Sequence, residues 1–255
     1  MPKQGAGNGD VIRIVPLAAP GALIGAPTAA ATGAQLVYNN GPLIANAEVF
    51  TIFWGTGWQD PSQSGLIDQI NGFFDYILSS ALIDQLGEYS VPGYQIGYGQ
   101  RTGTLTLADP GVSGTVNDSA LQQMLQDQIS TSAIPQPTVN TLYFVFLPSG
   151  VTVTQSGSAS CQQFCGYHDH IAGNLFYAVM PFPDCSGCQG SLALFDAITS
   201  TSSHELCEAI TDPIPGEGWY DNANGEIGDI CAWQTKTVGQ YTVQLEWSNS
   251  SGFCR

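Results

Sequence analysis

Three apolar runs limit what this chain can become: AEVFTIFWG at 47–55, TLYFVFLP at 141–148 and NLFYAVMP at 174–181. All three are rich in β-branched and aromatic residues and read as strands. TLYFVFLP is apolar on both faces, which makes it a central strand buried from both sides. Helical patterns separate the runs. SGLIDQINGFFDYILSSALIDQL (64–86) spaces its apolar residues three and four apart and reads as one amphipathic helix capped by Ser64. NDSALQQMLQDQIS (117–130) reads as a second helix, and GSLALFDAITSTSSHELCEAIT (190–211) as a long third one stopped by Asp212 and Pro213. YQIGYGQRTGTLTL (94–107) reads as strand broken by a glycine turn, and YTVQLEW (241–247) as a final strand. Strands and helices in this order predict a mixed α/β layer structure.

At 255 residues the chain suits one hydrophobic core. Residues 1–45, rich in Ala, Gly and Pro, read as an extended arm or wrapped loop, and 46–255 as the single α/β domain. Lys and Arg total 5 against 21 acidic residues, and a formal net charge of −16 argues against nucleic acid or an anionic membrane as partner. No apolar run has the length of a membrane helix. The start, MPKQGAGNGD, has no continuous apolar stretch and no clean small-residue cleavage site, so no signal peptide is read there.

TSSHELCEAITDP (201–213) concentrates chemistry, holding one of three histidines and two of seven glutamates. On a helix, His204 and Glu208 lie four residues apart, stacked about 6 Å along the axis, so both can grip one ion. Glu205, turned by roughly 100°, flanks that ion as a general base does in H-E-x-x-H zinc peptidases. A chain of this composition carries H-E-x-x-E by chance about twice in a thousand cases, which sets aside an ordinary solvated helix face. Catalytic zinc wants a third protein ligand and an open position for water, and NGEIGDIC offers Glu226 or Asp229. The carboxylates make calcium the second choice of cation.

This points to a zinc-dependent peptidase with a zincin-like active-site helix, acting on peptide or protein substrates. NLFYAVMP, just before that helix, can offer its edge to an extended peptide. The alternative is a non-catalytic binding module for a wall polymer or partner protein, with a structural cation or none. His168 and His170 in GYHDHIAG can ligate a metal, or with Tyr167 stabilise an oxyanion; hydrogen-bonded histidines of a polar loop are the plainer reading. Trp219 and Tyr220 are candidate pocket-lining residues, although core packing explains Trp219 equally well. Asp196, two turns before His204, is a candidate supporting residue.

Seven cysteines leave at least one unpaired within the chain. Cys161, Cys165, Cys185 and Cys188 suit either two disulfides or a structural zinc, and Cys231 with Cys254 can form a further bridge, leaving Cys207 over.

VFTIFWGTGWQDPSQSGLIDQI, LYFVFLPSGVTV, FCGYHDHI, CSGCQG and the helix ending in AITDP together resemble the phosphate-induced protein 1 family, whose plant members are the EXORDIUM proteins. The likeness covers most of residues 48–231. It implies a secreted, extracellular, disulfide-bonded protein, because plant members are secreted to the cell wall and associated with growth, with no established enzymatic activity. Those plant proteins lack the histidine and glutamates before TDP. His204, Glu205 and Glu208 resemble instead a microbial branch similar to zinc-dependent peptidases. His168 matches a family position present without H-E-x-x-E, which implies structure or binding and not the metal.

Overall fold

The computed structural model describes residues 14–18, 33–109 and 111–255. Its centre is a six-stranded mixed sheet. In chain order the strands are β1 (Ile14–Pro16), β2 (Glu48–Trp54), β3 (Gln100–Leu107), β4 (Thr141–Phe146), β5 (Phe164–Ile171) and β6 (Leu175–Met180). Their spatial order is β1-β5-β6-β4-β2-β3. The block from β6 to β3 is parallel, while β5 runs antiparallel to β6, and β1 antiparallel to β5.

Parallel neighbours need crossovers, and two helices supply them. Helix α1 (Ser64–Ile77) follows β2 and covers one face, where Phe73, Phe74 and Ile77 meet Phe53, Phe144 and Phe146. Helix α2 (Asp118–Ser130), capped by Asn117, covers the other, where Leu121, Leu125 and Ile129 meet Ile52, Tyr143 and Val145. Covered on both faces, β4 and β6 are buried at every residue, which is why their sequences are continuous apolar runs. The mixed α/β reading therefore holds. The expected long first helix does not continue unbroken: it ends at Ile77, and Ser80 starts a short helix, Ala81–Leu86, by accepting from the Leu82 amide at 3.2 Å. Ser64 is no cap either; it lies inside α1 and its hydroxyl donates to the Pro61 carbonyl.

Two corrections bear on the site. FCGYHDHI is a strand of the main sheet, β5, and not a loop, because Phe164 and Tyr167 fill one face while Gly166 and His168 fall on the other. In consequence β6 is not a free edge: β5 covers it from Leu175 to Val179. The outer edge of β5 is taken in turn by β1, with Val15 opposite Gly166. The arm's residues 33–45 also join the body, with Leu36, Leu43 and Ile44 in the core; residues 1–13 and 19–32 lie outside the described residues.

Helix α3 (Leu194–Thr211) packs against β5 and β6 on one side and, on the other, a hairpin of β7 (Thr235–Val238) and β8 (Tyr241–Gln244). Its residues from Ala197 to Thr211 are all buried. Polar groups on a helix enclosed all round must find partners inside the protein.

Three disulfides staple the fold, Cys161–Cys185, Cys165–Cys188 and Cys231–Cys254, and Cys207 is a buried free thiol. With the four clustered sulfurs paired, they hold no structural zinc. Disulfides persist in oxidising compartments, and no described helix is long and apolar enough to cross a membrane. Closing a loop of 23 residues between Cys231 and Cys254 stabilises the fold by about 3 kcal/mol on the chain-entropy account. Replacing both with serine should lower the unfolding free energy by that amount in a guanidinium titration, and an unchanged midpoint would contradict it.

Candidate metal centre

The side chains of HELCE turn toward β5, β8 and the segment 212–231, and each brings polar partners. His204, Glu205, Glu208, His168 and Glu226 are all 0% exposed. Asp229 has a side chain 5% exposed.

His204 is oriented by β8. Gln244 Nε2 donates to the Gly228 carbonyl at 2.9 Å, which turns Gln244 Oε1 toward His204 Nδ1 at 3.0 Å. An amide oxygen only accepts, so Nδ1 carries the proton. Nε2 lies 2.8 Å from Glu208 Oε1 and 4.0 Å from Asp229 Oδ1. Despite that short approach, Nε2 has no aligned hydrogen-bond partner. The site tolerates no side chain at residue 228, where a Cβ would stand 2.8 Å from His204 Nδ1.

A second histidine enters from β5. His168 Nδ1 is 3.1 Å from Glu205 Oε2 and 3.6 Å from Glu208 Oε2, while Nε2 is 3.1 Å from the Asp212 carbonyl and 3.4 Å from Glu226 Oε1. Gly166, one strand repeat earlier, leaves the space that Thr201 and Glu205 occupy: a Cβ there would stand 3.1 Å from Glu205 Oε1. The turn carrying Glu226 and Asp229 is tied to α3 because the Asp229 amide donates to Glu208 Oε1 at 3.2 Å. The Glu226 amide donates to Asp229 Oδ2 at 3.0 Å.

Burial disfavours charge on every one of these groups, and their neighbours decide the outcome. Burial pushes the Glu208 carboxyl up, but His204 and His168 override it and hold it at about 2. Burial, reinforced by the charge of Glu208, pushes Glu226 and Asp229 well above the usual carboxylate range. Burial also raises Glu205, and it lowers both imidazoles until the surrounding carboxylates carry them well above the usual histidine value. Several polar atoms remain without a partner: Glu205 Oε1, Glu208 Oε2, both oxygens of Glu226 and Asp229 Oδ1. Leaving a buried polar atom unmatched costs about 1–3 kcal/mol, and more for a charged one. Two sets of side chains can each hold a cation, with ligand atoms within 4.8 Å of one another: His204, Glu208 and Asp229, and His168, Glu208 and Glu226.

The other candidates stand elsewhere. Tyr167 lies on the opposite face of β5, where its hydroxyl donates to Asp118 at 2.7 Å. His170 Nδ1 accepts from the Gly173 amide outside the cluster. Trp219 donates to the Tyr89 carbonyl and packs on the Tyr38 and Tyr89 rings, and buried Tyr220 pairs with Val37. Asp196 accepts from Thr242 at 2.9 Å, tying α3 to β8. Asp212, read from the sequence only as a helix stop, and Gln244 were not singled out as site residues. Asp212 fixes the turn after α3 by accepting from the Gly216 and Gly218 amides at 2.7 and 2.5 Å. Glu246, also missed, is fully buried with both oxygens unpartnered, and burial raises its carboxyl well above the usual range.

No family model matches the chain, and no curated protein matches it. Five solved chains match it in structure. One is described as the structure of a chaperone–substrate complex; it has 14% identity and a TM-score of 0.34 over 72% of this chain. The match spans 28% of that chain's length, and a likeness this distant carries no argument.

Proposed function

We propose that the protein is a secreted zinc-dependent peptidase, of the microbial branch its sequence resembles, held in a closed form by its own β1. The reading rests on the lone pair of His204 Nε2, fixed by Gln244 and aimed with Glu208 and Asp229 at one position. One nitrogen and two carboxylates suit zinc, which accepts both donor types in catalytic sites. Zinc held there would supply a Lewis acid and an acidified water at neutral pH. Glu205 Oε1 is the base that takes the proton and passes it to the leaving amine. His168 holds the other Glu205 oxygen through Nδ1. An extended peptide docks along the edge of β5, beside Gly166, where Glu205 approaches the strand. In the closed form β1 occupies that edge.

A second reading, a structural cation in a non-catalytic extracellular module, is favoured by the complete burial of the cluster. Elemental analysis of the full chain beside His204→Ala separates metal from no metal. Zinc should be present in the wild type and reduced by at least one ion per chain in the variant. Digestion of a peptide library by protein with β1 released through Val15→Asp, stopped by a chelator, then distinguishes peptidase from module. Absence of zinc, or zinc unaffected by His204→Ala, would overturn the zinc site.

A further inference from the structure

The cluster contains more ligands than one ion uses. A cation on His204, Glu208 and Asp229 leaves Glu226 with both oxygens buried and unpartnered, and leaves Glu208 Oε2 unpartnered on the side away from His204. Glu226 Oε1 and His168 Nε2 stand 3.4 Å apart, the Asp212 carbonyl is 3.1 Å from the same nitrogen, and neither Glu226 oxygen makes a hydrogen bond. Separations near 3.0–3.4 Å are those of neighbouring donors around an ion about 2.1 Å from each. His168 Nδ1 meanwhile faces Glu205 Oε2, the carboxylate–imidazole pairing that fixes a metal-ligating histidine with its proton on the far nitrogen.

We infer that Glu208 bridges two divalent cations, the second bound by Glu226 and His168 Nε2 with the Asp212 carbonyl in reach. The inference rests on the metal reading of His204, Glu208 and Asp229 above. Charge supports it independently. Glu205, Glu208, Glu226 and Asp229 are buried carboxylates of the cluster, with Asp212 and Glu246 buried beside them, so two divalent ions do not exceed the negative charge available with both imidazoles uncharged. One ion leaves the cluster negative unless protons are retained, and an ionised carboxylate left unpaired in an interior is strongly disfavoured. Carboxylate-bridged pairs sit about 3.5–4 Å apart, the arrangement of two-metal hydrolytic sites. The ligand set, one nitrogen with oxygens, fits zinc or manganese.

The competing arrangement is His168 as an imidazolium, donating to Glu205 and to the Asp212 carbonyl with no ion beside it. Metal-free full-length protein, titrated to saturation with zinc and freed of excess, should retain two ions per chain. Glu226→Gln should retain one, with its thermal melt and disulfides checked. Manganese-loaded wild type should show an exchange-coupled pair by electron paramagnetic resonance. Nitrogen-15 shifts of the wild type, independent of any variant, should give His168 a proton on Nδ1 and a metal on Nε2. One ion per chain with both His168 nitrogens protonated would overturn the inference while leaving the single-zinc peptidase intact. No bound ion at all would overturn both.

Discussion

Glu205→Gln, made in the protein whose β1 is released by Val15→Asp, should keep its zinc and lose about 10²–10⁴-fold in turnover, the span of a positioned general base. Gln matches Glu in size, and the site has no slack: Glu205 is 0% exposed, Thr201 and Gly166 close on it, and His168 holds Oε2 at 3.1 Å. A Gln oxygen can still accept from His168 Nδ1, so the side chain stays in place. What disappears is the basic, unpartnered oxygen beside Gly166, because an amide takes no proton near neutral pH. The proposed ligands His204, Glu208 and Asp229 are untouched, which separates this variant from His204→Ala. Peptide turnover within a few-fold of wild type at equal zinc content would remove Glu205 from the chemistry. Loss of zinc together with turnover would make it a ligand or a structural member of the cluster.

H-E-x-x-E on a helix was legible because its spacing is local: 3.6 residues per turn is enough to bring His204 and Glu208 together. The acidic turn at Glu226 and Asp229 was legible by composition, and both residues reach the cluster. His168 was harder. Its strand turns Phe164 and Tyr167 to one face and Gly166 and His168 to the other, and polar residues in an otherwise buried strand look like a loop until their partner helix is in place. Gln244 lies 40 residues beyond His204, but one signal was available. Thr242, Gln244 and Glu246 repeat at the strand period of two beside the core residues Tyr241 and Val243, marking a polar stripe that is half-buried at Thr242 and buried at Gln244 and Glu246. The break at Leu78–Ser80 escaped because apolar spacing continues through it; only the Ser-Ser pair marked a new cap. Strand order was not legible at all, and so the edge assigned to substrate shifted from β6 to β5.

That shift sets the second large effect. Val15→Asp should release β1 and raise kcat/KM on a peptide library by roughly 30–150-fold, corresponding to about 2–3 kcal/mol of lost arm docking. The anchorage is small enough to break by one change. β1 is three residues long; Val15, 2% exposed, packs on Cys165 and Cys188, Trp233 Nε1 donates to the Pro16 carbonyl at 3.0 Å, and the Ala18 amide donates to the Gly187 carbonyl at 2.9 Å. Burying one valine contributes about 1.5–3 kcal/mol and each hydrogen bond about 1, less the entropy of ordering the segment. An aspartate in that apolar niche, beside two disulfides, forfeits the contact and adds the cost of burying a charge. The disulfides and core remain, so the sheet persists with the edge of β5 bare, and substrate competes for it without first displacing a tethered strand. Hydrogen exchange supplies the internal control, since the outward amides of β5 must lose protection in the variant. If they do and cleavage stays at the wild-type level, β1 is an ordinary edge strand, and access to the buried cluster must come instead through movement of the 212–231 segment.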